Sequence, residues 1–144
     1  MNFNKLINKL KEEMLADLQR QLTETADAMA DSMRARCPVD TGQLVSSIST
    51  RTERTESEIN AYIDIGATSK EGAWYAEFVE YGTGIYNENG DGRQTPWRYQ
   101  DREGNWHTTQ GQEPQPFIRP AVAEHIGELD ERIKQSMDLR RYRG

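Results

Sequence analysis

Two carboxylates three residues apart, Glu77 and Glu80, lie within WYAEFVEYGTG, residues 74–84, among four aromatic rings and just before a Gly-Thr-Gly run. Paired acids are what glycoside hydrolysis requires, with one on each side of the bond to be broken. The spacing argues against that use here, because residues three apart on a helix point much the same way. Nothing adjacent in sequence would separate their two pKa values. A packing role is the stronger reading: Trp74, Phe78 and Tyr81 form a buried face, with Glu80 on the wet side and Glu77 at the edge. Gly82-Thr83-Gly84 is not a phosphate loop either, since a P-loop needs Gly-x4-Gly-Lys-Ser/Thr and a dinucleotide fingerprint needs a third glycine opening a helix. Gly82 and Gly84 are instead expected to allow positive φ or close backbone approach as the chain leaves the helix. Cys37, His107 and His125 are too few and too scattered for a zinc site or a nucleophile triad. No catalytic residue, metal ligand or cofactor site is assigned, and a small hydrolase using Glu77 and Glu80 remains only as the enzymatic alternative.

The elements that would carry these residues are legible from periodicity. Apolar residues at Phe3, Leu6, Ile7, Leu10, Met14, Leu18, Leu22, Ala26, Met29 and Met33 give the spacing of an amphipathic helix over residues 1–36, with no Gly or Pro before Pro38. Such a helix is about 50 Å long, longer than the body that the other residues can form, so part of its stripe is expected on another subunit. CPVDTGQL then turns the chain. Two antiparallel strands follow within residues 43–66, in LVSSISTRTERT and SEINAYIDIGA, joined near 53–57. In the second, Ile59, Ala61, Ile63 and Ile65 alternate with Asn60, Tyr62 and Asp64. A short helix over 74–81 stops at Gly82. Residues 84–115 form a polar loop bearing a protruding β-hairpin, in which Trp97 and Tyr99, then Trp106 and Thr108, alternate around DREGN. A helix over 116–138 and a basic tail, 139–144, expected to be exposed or disordered, complete a single α+β domain spanning 1–144.

Composition narrows the function. The 144 residues are 35% hydrophobic and 29% charged, with net charge −6. Residues 1–36 hold six charges of each sign, 37–92 hold three basic and ten acidic, and 93–144 hold nine basic and eight acidic. That balance argues against a protein whose affinity rests on phosphates. Trp97, Tyr99 and Trp106 could stack on bases or sugars, but Asp101 and Glu103 offset the nearby basic residues, which favours hairpin packing or a protein interface. A lone cysteine makes no internal disulfide, and no run of about 18 apolar residues could span a bilayer. The N-terminus lacks the continuous apolar run of a secretory signal, so a cytosolic chain without membrane contact is expected.

Three segments in order, CPVDTGQLVSSI after a long helix, YAEFVEYGTG in the middle and QPFIRPAV opening the last helix, resemble the tailed-phage morphogenesis family named HK-ninety-seven gene-product-ten-like. The matching residues are Pro38, Asp40, Thr41 and Gly42, then Tyr75, Glu80, Gly82 and Thr83, then Pro116, Phe117 and Pro120. The resemblance implies a non-enzymatic neck or tail-completion protein with a small antiparallel sheet and flanking helices, made in the host cytoplasm and carried into the virion at the head-to-tail junction. It implies a ring of six or twelve copies, with head-closure or connector proteins on one side and a tail terminator or tail tube on the other. A tail terminator ring that caps the tube is the alternative. The acidic middle block adds one expectation of its own, that its exposed face lines a conduit from which passing DNA is repelled.

Overall fold

In the computed structural model, which describes residues 2–38, 42–66, 70–101 and 103–142, the chain is α+β. Helix α1 spans Phe3–Arg36, a single turn α2 spans Gln43–Ser46, and the strands β1, Ser49–Arg54, and β2, Ile59–Asp64, follow. Helix α3, Lys70–Tyr81, leads through a 3-10 turn, Gly84–Tyr86, to β3, Trp97–Gln100, and β4, Trp106–Thr109. Helix α4, Ile118–Met137, and a second 3-10 turn, Leu139–Arg141, end the described chain. Each sheet is a two-stranded antiparallel ladder. The chain gathers into two compact units, one of residues 1–32, 49–64 and 120–144, the other of residues 33–48 and 65–119.

In the first unit the β1–β2 ladder runs Ser49↔Asp64 to Arg54↔Ile59. The turn closes where Thr55 N–H donates to Glu58 O at 2.9 Å. Every residue of β2 is half-buried, including the polar ones on the face opposite Ile59, Ala61 and Ile63. Arg51 covers the Tyr62 and Asp64 part of that face: its guanidinium lies 3.9 Å from the Tyr62 ring centroid and donates to Asp64 at 2.9 Å. Polar contacts bind α1 to the ladder: Thr23 and Thr52 hydroxyls meet at 2.8 Å, Thr50 donates to Asp27 at 2.6 Å, and Arg54 donates to Glu12 at 2.9 Å. Helix α4 docks on α1 through Ser32, which donates to Glu124 at 2.8 Å and lies 3.0 Å from His125 Nε2. Ala26, Met29, Ala30 and Ala121 are buried, and the small alanine side chains permit close packing of elements.

The apolar stripe of α1 is not covered along its whole length. Phe3 is 73% and Ile7 43% exposed, whereas Ala30 and Met33 near the other end are 0% and 2% exposed. Gly127 in α4 has no heavy atom within 4 Å of the place a Cβ would take and no positive φ. Gly127→Ala is therefore expected to raise stability by about 0.5–1 kcal/mol, because only helix propensity changes. A right shift of the urea midpoint checks this, and a left shift would show that the site lacks the space.

The second unit is built on Met33, Cys37, Leu44, Ile48, Ala76, Val79 and Phe117, all buried. Two expectations change here. The segment expected to begin the first strand at Leu44 forms α2 instead: Ser46 N–H donates to Gly42 O, and Ser47 N–H to Leu44 O, which turns Leu44 inward before β1 starts at Ser49. The buried face of α3 is also rotated from the expected one. Phe78 is 45% exposed, while Ala76, Val79 and Glu80 are buried. Of the expected ring face, Phe78 is thus turned outward and Tyr81 is half-buried, the Trp74 side chain lies outside the described residues, and Glu80 is not on the wet side. The reason is the polar partner described next.

Candidate functional site

Helix α4 starts without a residue suited to cap it. The N-cap position before Ile118 is Phe117, which has no side-chain acceptor, although the first N–H groups of a helix need partners. Glu80 provides them from α3. Its Oε2 accepts from Phe117 N–H at 2.8 Å and Ile118 N–H at 2.9 Å, and its Oε1 accepts from Arg119 N–H at 3.0 Å. The fourth residue, Pro120, has no N–H to satisfy. One carboxylate thus meets the whole need of this helix start, where negative charge also suits the helix dipole.

Arg119 closes the arrangement. Its Nε donates to Glu80 Oε1 at 2.8 Å, one terminal nitrogen to Glu80 O at 3.1 Å, and the other to Glu88 at 2.8 Å. The guanidinium carbon stands 4.8 Å from the Tyr81 ring centroid. Glu80 is 1% exposed. Burial pushes its carboxyl pKa up, but the hydrogen bonds from Ile118, Arg119 and Phe117 outweigh that and hold it below the usual glutamate range. Bonds to Glu88 and then to Glu80 raise the Arg119 pKa further above its ordinary value.

The Gly-Thr-Gly run fastens the same two segments by backbone. Gly82 ends α3 at φ +80, with its N–H donating to Phe78 O at 2.9 Å. Thr83 N–H then donates to Gln112 O at 3.0 Å and Ile85 N–H to Gln110 O at 3.1 Å, while Gln112 N–H donates to Thr83 Oγ1 at 2.9 Å. Gly84 lies against Gly111 between these bonds. A Cβ on Gly84 would fall 1.9 Å from Gln110 O, and one on Gly111 would fall 2.1 Å from Thr83 O. Further on, Gln115 N–H donates to Val79 O at 2.8 Å. Residues 79–88 and 110–119 therefore form one clasp, which closes the base of the loop and sets the start of α4.

The candidate residues divide accordingly. Glu80, Gly82, Thr83 and Phe117 come together in the clasp, with Phe117 0% exposed. Pro116 is exposed at its rim, and Pro120 occupies the first turn of α4. Gly42 has φ +69, and Pro38 is half-buried. Asp40 and Thr41, and the side chains of Trp74 and Tyr75, lie outside the described residues. Glu77 is exposed while Glu80 is buried, so the two carboxylates do not face one cleft. Arg119, Glu88 and Gly111 were absent from the sequence-based candidates. Two signals pointed to Arg119, a helix start with no capping side chain and a basic residue in a first turn, where the dipole disfavours it; neither pointed to Glu88 or Gly111.

In the hairpin, Trp97 and Tyr99 share a face with His107, and the Tyr99 and His107 rings stack at 5.3 Å. Trp106 lies on the other face, 59% exposed, with Arg98 5.1 Å from its ring centroid. The three aromatics therefore do not make one surface. Asp101 organises the turn by accepting from the N–H groups of Glu103 and Asn105 and pairing with His107 at 2.6 Å. Residues 139–141 of the tail are exposed, as expected, yet they are ordered by contacts to α1: the Tyr142 hydroxyl donates to Asp17 at 3.0 Å, and Arg141 pairs with Asp17 at 3.2 Å. Arg143 and Gly144 lie outside the described residues.

Among the described residues no three His, Cys, Asp or Glu side chains gather as metal ligands would, and no helix is long and apolar enough to cross a membrane. A family described as "Bacteriophage HK97-gp10, putative tail-component" matches residues 2–82. The chain belongs to the HK97-gp10-like family. The matched region of this HK97-gp10-like protein holds α1, the β1–β2 ladder and α3, and reaches Gly82. The segment that completes the clasp, 110–119, lies beyond it. No curated protein and no solved structure matches the chain significantly.

Proposed function

We propose that this HK97-gp10-like chain is a neck or tail-completion subunit, which joins copies of itself into a ring of six or twelve between the head connector and the tail. The observation that carries this is the uncovered start of α1. Phe3 and Ile7 are 73% and 43% exposed on a helix of 34 residues, in a member of a phage tail-component family. Apolar side chains one turn apart on an exposed helix end suit burial against another subunit. The clasp gives the assembly a second part by closing the base of the loop that carries the hairpin, whose exposed Tyr99 and Trp106 face neighbouring connector, terminator or tube proteins. Exposed acidic residues within 37–92 that are not taken up in contacts between copies line the channel and keep DNA from adhering.

The test is the mass in solution, by light scattering after size exclusion, of the full chain and of a chain lacking residues 1–20. The full chain is expected to form a ring-sized oligomer. The shortened chain, with helix and strand content retained by circular dichroism, is expected to fall to a much smaller species. Two folded species of monomeric mass would overturn the ring reading.

A further inference from the structure

We infer that the first three turns of α1 from one copy seat in an acidic, aromatic groove on the second unit of the next copy, an inference that rests on the ring reading above. The groove has a volume of about 600 Å³ and is lined by Glu77, Phe78, Asn87, Asp91, Arg93 and Trp97, together with the Gly82–Gly84 backbone. Its walls are set by the clasp and by the 84–97 loop, so it is built into the fold. Phe78, turned outward by the rotation of α3, is its apolar floor and is 45% exposed.

The proposed occupant complements it in both polarity and charge. Phe3 and Ile7 lie one turn apart and are exposed, with Leu6 and Leu10 half-buried beside them on the same stripe. Residues 1–11 carry Lys5, Lys9 and Lys11 and no acid, and Lys5 and Lys9 are exposed. Residues 71–93 carry five acids and one base, Arg93, whose guanidinium lies 5.7 Å from the Trp97 ring centroid. Of these acids, Glu80 and Glu88 are engaged by Arg119, while Glu77 and Asp91 line the groove. A basic helix end with an apolar stripe fits an acidic groove with an aromatic floor by the usual helix-in-groove logic. Opposite charge on the two faces also disfavours pairing of two like faces, which gives a head-to-tail contact. Such a heterologous contact closes into a ring when its rotation permits. Glu77 and Asp91 thereby belong to the joint between copies, not to the channel.

Charge exchange in the full chain tests this, with all changes at exposed positions and folding checked by circular dichroism. One variant carries Lys5→Glu and Lys9→Glu, a second carries Glu77→Lys and Asp91→Lys, and light scattering follows each alone and the two mixed. Each alone is expected to assemble at least about tenfold more weakly than the unmodified chain, because like charges then meet. Their mixture is expected to regain assembly, since each helix end then finds a groove of opposite sign on the other variant. If both variants assemble as the unmodified chain does, the groove is not the joint, although the ring reading stands. If the mixture fails while one chain carrying all four changes assembles, the contact lies within a copy and the inference falls. An unmodified chain that stays monomeric would remove both.

Discussion

Replacing Glu80 by alanine is expected to lower stability by about 3–5 kcal/mol, the usual range for breaking a buried, hydrogen-bonded pair. The lower end applies because the Arg119 side chain is 45% exposed, so water recovers part of its solvation. The main loss is on the backbone: the N–H groups of Phe117, Ile118 and Arg119 would have no acceptor at a site where Phe117 is 0% exposed. Glu80→Gln should retain part of the effect, since an amide has one acceptor oxygen instead of two and places an N–H₂ toward donors. Urea midpoints compare the three chains. A loss below about 1 kcal/mol for the alanine variant would show that α4 starts equally well without this carboxylate.

The same residue gives a pH dependence of defined sign. The pKa of Glu80 in the folded chain lies below its ordinary value of 4.5. Below that ordinary value the unfolded chain takes up the proton more readily than the folded one, so stability falls as pH falls. The contribution is complete above about pH 4.5, declines below it and is gone once the pH passes the folded value. Asp17, held below its ordinary 3.8, adds the same sign at slightly lower pH: burial raises its pKa, but the nearby Ser136 hydroxyl, the hydrogen bond from Tyr142 and the charges of Arg141 and Arg20 outweigh that. In Glu80→Gln the acid limb of stability should flatten, leaving the Asp17 part.

Gly84→Ala is the second large effect, at roughly 3–5 kcal/mol, in the tail of single-site effects that arises when backbone conformation and packing are violated together. The residue has φ +61, and the added methyl would lie 1.9 Å from Gln110 O and 2.7 Å from Gln110 C. Both obstacles are main chain, which no rotamer change can move, so the bonds from Thr83 and Ile85 to the 110–112 segment must break. Gly90→Ala is the control. Its φ is +76 with nothing within 4 Å, so it carries the left-handed cost alone, about 1–2 kcal/mol. Limited proteolysis should then cut within 84–115 much faster in Gly84→Ala than in Gly90→Ala. Equal cleavage and equal urea midpoints would mean that the clasp opens at little cost and does not hold the loop.

Much of the fold was readable because its signals are local. The three-and-four spacing from Phe3 to Met33 and from Ile118 to Met137 reports a helix without reference to any other part of the chain. The alternation in INAYID and the turn residues of DREGN do the same for β2 and the hairpin. Gly82 as a helix stop is equally local. The three ordered motifs pointed to the HK97-gp10-like family, and the exposed start of α1 agrees with a helix too long for its own chain to cover.

Only the tertiary structure decided which face of α3 is buried. Periodicity ranks Trp74, Phe78 and Tyr81 above Glu80 on hydrophobicity, yet burial depends on which polar group finds enough donors. Glu80 finds four nitrogens of residues 117–119, which are 37 to 39 positions away along the chain. No window of sequence contains both partners. Tyr142 beside Asp17, 125 positions apart, is the same case, and so is Gly84 against Gly111. The placement of Trp106 on the face opposite Trp97 and Tyr99 turned on a strand register that each strand alone does not specify. The sequence by itself thus determined the long helices, β2 and the hairpin through patterns within one helix turn or one strand, and pointed to the family through three ordered motifs. The polar closures that orient those elements against one another came from pairing at long range, because a buried charge is stable only where the rest of the chain brings its partners to it.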